Sequence, residues 1–354
     1  MTRRVAVIGA GIAGLTCARR LALAGCEVQV FDKARGPGGR IPTRRRQGLA
    51  FDHGAPFFSA RSEAFKAEVE AWAHAGAVAS WKPRRVAIDA SGVRPVASQD
   101  VWVGQPRMSA VGRHLCTELD VHLECRVARV EGRARDWTVH EVNGEAHAGF
   151  DAVVSTVPPA QASELLAGAV EAGRLDALFR LPPLEPRWSL MLALEDAFDP
   201  GFDVADFDHD VLERAICNDA KPGREKAPTW VVHAAPEWSR RHLEVRPALV
   251  AVEVETALRD AVPGFPPTIF RDIHRWRYAL ARKPRSPGPL EMAPGLMLGG
   301  DWTRGPELED AFTSGCELAA AVLEGPCAIR SREDAKPLQA AQPTSTTNEM
   351  ENPE

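Results

Sequence analysis

The stretch Arg4-Val5-Ala6-Val7-Ile8-Gly9-Ala10-Gly11-Ile12-Ala13-Gly14 decides the fold. Its first five residues form a short β-branched run, too brief for a helix and closed by glycine, which predicts a buried parallel strand. Gly9, Gly11 and Gly14 follow at G-x-G-x-x-G spacing. There they permit a tight turn, let a backbone approach a pyrophosphate, and let the next helix pack close to the strand. That helix is predicted over Ile12 to Ala24, with Leu15, Ala18, Leu21 and Ala22 on one face, Arg19 and Arg20 on the other, and Gly25 as its stop. A second strand, Glu27 to Phe31, delivers Asp32, whose carboxylate is positioned to accept hydrogen bonds from both hydroxyls of an adenosine ribose. A glycine triplet alone says little, but strand, triplet, helix, strand and acid in this order predict a dinucleotide-binding unit.

Past Asp32 the chain reads Lys33-Ala34-Arg35-Gly36-Pro37-Gly38-Gly39-Arg40. A nicotinamide dehydrogenase has no need of a second glycine doublet there. A longer flavin dinucleotide does, because its diphosphate takes a second backbone approach and a charge-assisted contact of the kind Arg40 offers. The run Gly9 to Arg40 resembles the FAD-binding signature of the flavin amine oxidase superfamily. Arg44, Arg45 and Arg46 read as a solvated basic loop.

Length and composition agree with this. A chain of 354 residues, 45% hydrophobic and 26% charged, suits one large α/β domain or two that share a core. Ser331 to Glu354 has almost nothing large and apolar to bury and is expected to be a disordered tail. The tail holds two basic and five acidic residues, so the rest of the chain is nearly neutral, which argues against a nucleic-acid binder. Seven scattered cysteines with no C-x-x-C pair and no clustered histidines predict neither a metal site nor a disulfide framework, and suit a reducing cytoplasm. With no secretory signal and no stretch long enough to span a bilayer, a soluble cytoplasmic protein with no membrane partner is expected.

A second match narrows the family. Phe51-Asp52-His53-Gly54-Ala55-Pro56-Phe57-Phe58-Ser59-Ala60-Arg61 is similar to the segment beside the isoalloxazine in the renalase family of bacterial flavoproteins. Val103 to Leu115, Thr229 to Leu243, His274 to Ala279 and Leu298 to Gly315 resemble that family too, so the likeness runs from Val5 to about Glu324. Two departures stand out: Pro56 where the family usually has glutamine, and Ile41-Pro42 where it usually has methionine and serine. Pro56 removes a side-chain amide and a backbone donor near the flavin.

The resemblance implies an α/β, two-domain, FAD-binding Rossmann-type fold like that of p-hydroxybenzoate hydroxylase and the amine oxidases, with a mixed-sheet substrate domain. Residues 1–80, 105–170 and 290–326 are expected to form a discontinuous FAD domain, and 81–104 with 171–289 the substrate domain, Arg84 to Val96 being an outlying hairpin. Glu171 to Pro289 reads as short alternating strands with one helix starting at Pro247. Asn143-Gly144 marks a two-residue hairpin. Non-covalent FAD is implied, held by Gly9, Gly11, Ala13, Gly14, Asp32, Lys33, Gly39, Arg40, Pro56, Phe57, Val127, Asp301 and Ala311. A last helix near Asp310 to Glu324 offers free N–H groups to a reduced flavin, with Ala311 and Gly315 small enough to allow close approach.

The family's activity is oxidation of misreduced dihydro isomers of NAD(P), with hydride transfer to flavin N5 and electrons passed on to oxygen as hydrogen peroxide. Such a step needs no protein base, so no catalytic side chain is assigned. Asn218, His233, Trp276, Arg277 and Trp302 are the candidate pocket residues; the two tryptophans suit a planar ring, and His233, within an apolar run, reads equally as a structural histidine. Arg240, Arg241 and Arg275 are candidates for substrate phosphates. Two alternatives remain open: a flavin amine oxidase or desaturase, and a carrier that keeps the fold without FAD, as in the GDP-dissociation inhibitors. A single tyrosine, Tyr278, weighs against the paired tyrosines common in amine oxidases, and Arg40 with Asp301 weighs against the carrier.

Overall fold

Arg4–Ile8 forms a strand whose Val5, Ala6 and Val7 are wholly buried. Its alternating side chains enter two cores: Val5 and Val7 pack with the first helix, Ile12–Leu23, and Ala6 and Ile8 pack with a meander of Val127–Arg133, Asp136–Glu141 and Ala146–Phe150. The structure, a computed structural model, describes residues 2–179, 181, 183–281 and 288–325; the tail Ser331–Glu354 lies outside the described residues.

The strand sits inside a six-stranded sheet ordered Leu290–Ala293, Leu296–Leu298, Ala152–Ser155, Arg4–Ile8, Glu27–Phe31 and Asp120–His122. Every neighbouring pair is parallel except the first. Parallel strands need crossovers, and these bring Gly9, Asp32, Thr156 and Gly299 to the carboxyl ends of adjacent strands, where open α/β sheets hold ligands. The last helix, Leu308–Glu324, packs on the first so closely that a Cβ on Gly315 would lie 2.4 Å from the carbonyl oxygen of Ala13. Gly315 therefore makes room for the first helix, and its small size serves a helix–helix contact.

A second sheet of seven strands runs Thr268–Leu280, Glu185–Leu194, Thr229–Ala234, Leu212–Cys217, Val204–Phe207, Arg85–Asp89 and Gly92–Val96. Its outer face places Trp188, Leu190, Leu192 and Leu194 against Val250, Val254 and Leu258 of the helix Pro247–Ala261. Its inner face turns Met191, Ala193 and Val231 onto Phe51 of the hairpin Arg44–Arg46/Leu49–Phe51. The Arg84–Val96 hairpin, distant in sequence, joins this sheet: Val86 and Ile88 enter the outer core, and Arg85–Asp89 pairs in parallel with Val204–Phe207. Two strands of this region, Glu185–Leu194 and Thr268–Leu280, are ten and thirteen residues long, longer than the short alternating strands expected. The Asn143-Gly144 loop has three residues, closed by Glu141 N–H donating to the carbonyl of Glu145. No helix among the described residues is long and apolar enough to cross a membrane.

Candidate cofactor trough and substrate chamber

The two glycine bends lie side by side. Gly11 and Gly38 form a parallel backbone bridge, and Gly38 N–H donates to the carbonyl of Ala10 at 2.8 Å. A Cβ on Gly39, whose φ is +59°, would lie 3.0 Å from Gly11 Cα, and one on Gly14 would lie 1.9 Å from the Gly9 carbonyl oxygen. The surface between the bends is therefore bare main chain, which fits a diphosphate and nothing bulkier on the protein side. Asp32 Oδ2 accepts from Ala10 N–H of the first bend at 2.6 Å, and Oδ1 accepts from Ala34 N–H, on the way to the second, at 2.8 Å. Each oxygen keeps a second lone pair for the ribose hydroxyls assigned to it. Val127 opens the meander next to Cys125, whose N–H donates to the Asp32 carbonyl at 3.0 Å, so it stands at the same end. Lys33 is exposed and bonds Gln161 at 3.1 Å. Ala13 is buried beneath the last helix.

At the other end, Arg40 and Asp301 form an ion pair at 2.5 Å, and Arg40 also donates to the carbonyl of Ala279 at 3.0 Å. Two residues assigned separately to the cofactor thus act as one unit. Trp302 is buried, and its indole N–H has no partner, an unsatisfied donor at this end of the trough. The last helix begins at Leu308, and its first turn is crowded with Glu307, Glu309 and Asp310; Glu307 and Asp310 cap each other's backbone, and Glu309 accepts from Arg61 and Ser62 N–H. The capping box engages the Asp310 N–H, and three carboxylates surround that turn. Ala311 is half-buried just beyond.

Between trough and second sheet runs the segment Asp52–Phe57. A Cβ on Gly54 would lie 2.0 Å from the Arg40 carbonyl oxygen, and Ala55 N–H donates to that same oxygen at 2.9 Å, so the segment is sewn to the glycine bend. Asp52 is wholly buried. Its Oδ2 accepts from Lys221 Nζ at 3.1 Å and from the Arg224 guanidinium at 2.7 Å; its Oδ1 accepts from Thr43 Oγ1 at 2.6 Å and Met108 N–H at 3.1 Å. Burial alone would raise the Asp52 pKa, but Lys221, Arg224 and Thr43 hold it at about 2. Burial pulls Lys221 down to about 8 against the pull of Asp52. Asn218, expected in the substrate pocket, belongs to this network: its oxygen accepts from Lys221 at 3.1 Å and Asp52 N–H at 3.3 Å, and its amide donates to the Ala50 carbonyl at 3.0 Å. It is a brace, with both its oxygen and its nitrogen bonded. The sequence reading missed Asp52, Lys221 and Arg224; the run Lys221-Pro222-Gly223-Arg224 was the available signal.

The inner face of the second sheet is the candidate wall of a substrate chamber. His274, Ser189, His233, Arg214 and Asp206 occupy one cross-strand row on five adjacent strands. His53 meets His274 edge-on at 5.0 Å and stacks on Trp276 at 5.4 Å, and the Trp276 indole donates to the His53 carbonyl at 3.0 Å. Arg44 pairs with Asp272 at 3.0 Å and lies 2.9 Å from His274 Nδ1, so it is part of this wall and not a solvated loop. Burial, then His274 and Arg44, push His53 down to about 3; burial and Arg44 push His274 down to about 4. Burial, then Arg187 and Arg214, push His233 far below its ordinary value. All three imidazoles are neutral at pH 7. His53 Nδ1, His233 Nε2 and Ser189 Oγ are buried with no partner. Phe57 lies beneath the guanidinium groups of Arg85 and Arg214, at 5.9 and 5.4 Å, and Pro56 is buried beside it. Arg277 is corrected: one residue on from Trp276, it faces outward and pairs with Glu244 at 2.5 Å. Arg275 faces the same way, over Trp188, and Arg240 and Arg241 sit on the short outer helix Pro236–Arg241, so none of the three meets the chamber.

Residues 7–71 match the NAD(P)-binding Rossmann-like domain, and residues 85–323 match the flavin containing amine oxidoreductases. A zeta-carotene-forming phytoene desaturase from Myxococcus xanthus is 50% identical over 52 residues, which is 15% of this chain and only 10% of that protein. The fold is shared with putrescine oxidase bound to putrescine, at TM-score 0.68 and 13% identity over 91% of this chain and 99% of that one. It is also shared with an oxidoreductase from Methanosarcina mazei, at TM-score 0.68 and 16% identity over 91% of this chain and 100% of the other. The amine oxidoreductase match covers most of the chain and meets a trough shaped for a diphosphate, so the protein belongs to the flavin containing amine oxidoreductase family and its cofactor is FAD.

Proposed function

We propose that the protein is a renalase-like oxidase of dihydro-NAD(P) isomers reduced at the 2 or 6 position of the nicotinamide ring, returning NAD(P)+ with oxygen as the acceptor and hydrogen peroxide as the second product. The charge of the chamber carries this reading. Asp272 is held by Arg44, Glu213 by Arg187, Asp206 by both Arg85 and Arg214, and Asp52 by both Lys221 and Arg224. With Arg46 also 3.9 Å from Asp272, three of these four carboxylates are each outnumbered by cations, so the wall carries surplus positive charge and favours an anionic dinucleotide. A protonated amine meets no uncommitted carboxylate among these groups.

Bound FAD supplies the hydride acceptor and the route to oxygen. The chain's own residues orient and enclose. His53 and Trp276 offer a stacked aromatic wall for a planar ring, and the neutral His53 and His233 keep hydrogen-bonding nitrogens ready for it. No proton has to be removed, because the donor ring nitrogen becomes cationic as the hydride leaves. In this reading residues 1–80, 105–170 and 290–326 hold the cofactor, 81–104 and 171–289 cover it, and the protein works in the cytoplasm.

The test is anaerobic mixing of the yellow holoenzyme with 2-, 4- and 6-dihydro-NAD(P) and with putrescine, following the flavin absorbance. Fast bleaching by the 2- or 6-dihydro forms alone is the expected result. Bleaching by the ordinary 4-dihydro form at the same rate, or by putrescine, overturns it.

A further inference from the structure

We propose that Arg85 and Arg214, drawn together by Asp206 on the inner face of the second sheet, form the subsite that binds a phosphate of the substrate. This deepens the reading above and rests on it for the identity of the substrate.

The two arginines come from strands that are not neighbours, Arg85–Asp89 and Leu212–Cys217, with Val204–Phe207 between them. Asp206 of the middle strand takes Arg85 on Oδ2 at 2.6 Å and Arg214 on Oδ1 at 2.5 Å. One guanidinium would neutralise that carboxylate, so the second leaves a positive charge over. Both guanidinium groups lie over the Phe57 ring, which covers one side of each. Arg85 Nε is buried without a partner, and Arg214 gives Asp206 its Nε, which leaves the two terminal nitrogens of that fork. The next positions along the same row are His233 Nε2 and Ser189 Oγ, polar atoms that are also buried and unpartnered, with 3% and 0% of their residues exposed. A phosphate, with oxygens that take several donors at once, matches two forks, a hydroxyl and an imidazole better than a carboxylate would. Of the arginines first considered for phosphates, Arg240 and Arg275 are paired with Glu237 and Glu244 on the outer side, and Arg241 sits on the same outer helix as Arg240.

The experiment compares two substrates with the same reduced ring: the misreduced dinucleotide and its phosphate-free riboside. For Arg85→Gln and Arg214→Gln, kcat/KM for the dinucleotide is expected to fall roughly 10- to 100-fold further than that for the riboside, the size of a lost charge-assisted hydrogen bond. Arg85→Lys should recover part of the loss. Equal losses for both substrates overturn the proposal, because a merely structural ion pair would affect them alike. Inorganic pyrophosphate, titrated calorimetrically into the holoenzyme, gives a readout that needs no turnover: it should bind wild type and bind both glutamine variants at least 10-fold more weakly. Equal binding, or none to wild type, overturns the subsite. If pyrophosphate binds as expected while no dihydro isomer bleaches the flavin, the function fails and the subsite stands.

Discussion

The trough and the chamber solve opposite problems. The trough is made of main chain: Gly9, Gly11, Gly14, Gly38 and Gly39 bring two bends together, and the Asp32 carboxylate accepts from Ala10 in the first and from Ala34 on the way to the second. The chamber is made of side chains, contributed by strands between Arg85 and Leu280 and by the segment after Phe51, and its order comes from carboxylates that each gather arginine or lysine. In the trough, adding one carbon is damaging; in the chamber, removing one charge is.

Asp52→Ala should have the largest effect on this contrast. It leaves Lys221 and Arg224 buried without their counter-charge, which costs about 3–5 kcal/mol. Urea unfolding of the holoprotein should show that loss, and a midpoint shift as small as that of an exposed substitution would mean the network is decorative. Next comes Gly39→Ala, at a φ of +59° and 3.0 Å from Gly11 Cα. The left-handed conformation alone costs roughly 1–2 kcal/mol, so FAD should bind about 10-fold more weakly or be lost on purification, read from the flavin-to-protein absorbance ratio; full retention of FAD would show that the bends do not meet at the cofactor.

Acid should act on the chamber before the trough. His53 and His274 titrate at about 3 and 4 when folded, against 6.5 unfolded, so the unfolded chain takes up protons that the folded one refuses. Stability therefore falls as pH drops from 6.5 toward 3, by at most about 1.4 kcal/mol per pH unit for each histidine. Asp52, at about 2 against 3.8, extends the loss below pH 3.8. Lys221, at about 8 against 10.5, has the same sign: its share of stability rises between pH 8 and 10.5. His53→Phe should flatten the slope between pH 6.5 and 4 in thermal melts; an unchanged slope would mean His53 is protonated in the fold. Arg277→Ala should do least. Its exposed pair with Glu244 lies on the outer face, so kcat/KM should change by less than about two-fold; a larger loss would put Arg277 back in the chamber.

The same contrast explains what could be read in advance. The first strand, first helix and second strand, Arg4–Ile8, Ile12–Leu23 and Glu27–Phe31, follow from local periodicity and glycine placement, because a parallel unit with its ligand at the turn is specified by neighbours in sequence. The chamber row is different. His274, Ser189, His233, Arg214 and Asp206 become neighbours only through strand register, and no short window contains two of them except Asp206 with Arg214. Arg277 shows the limit well: next to Trp276 in sequence, it lies on the opposite face of the sheet. Asp52 was hidden for another reason, since the cations that hold it, Lys221 and Arg224, lie about 170 residues on.

The packing of the last helix on the first also bears on how the chain matures. The strand Leu296–Leu298 completes one side of the sheet by pairing with Ala152–Ser155, and Arg3 donates to the carbonyl of Val322 at 2.6 Å. A ribosome that has made the glycine bends must still make nearly three hundred residues before the helix that seats them emerges. Domains usually fold as units as they are synthesised, N-terminal parts first. Here the opening unit waits for the closing one, and the nascent chain has to stay unaggregated through the intervening sheet before it can take up its flavin.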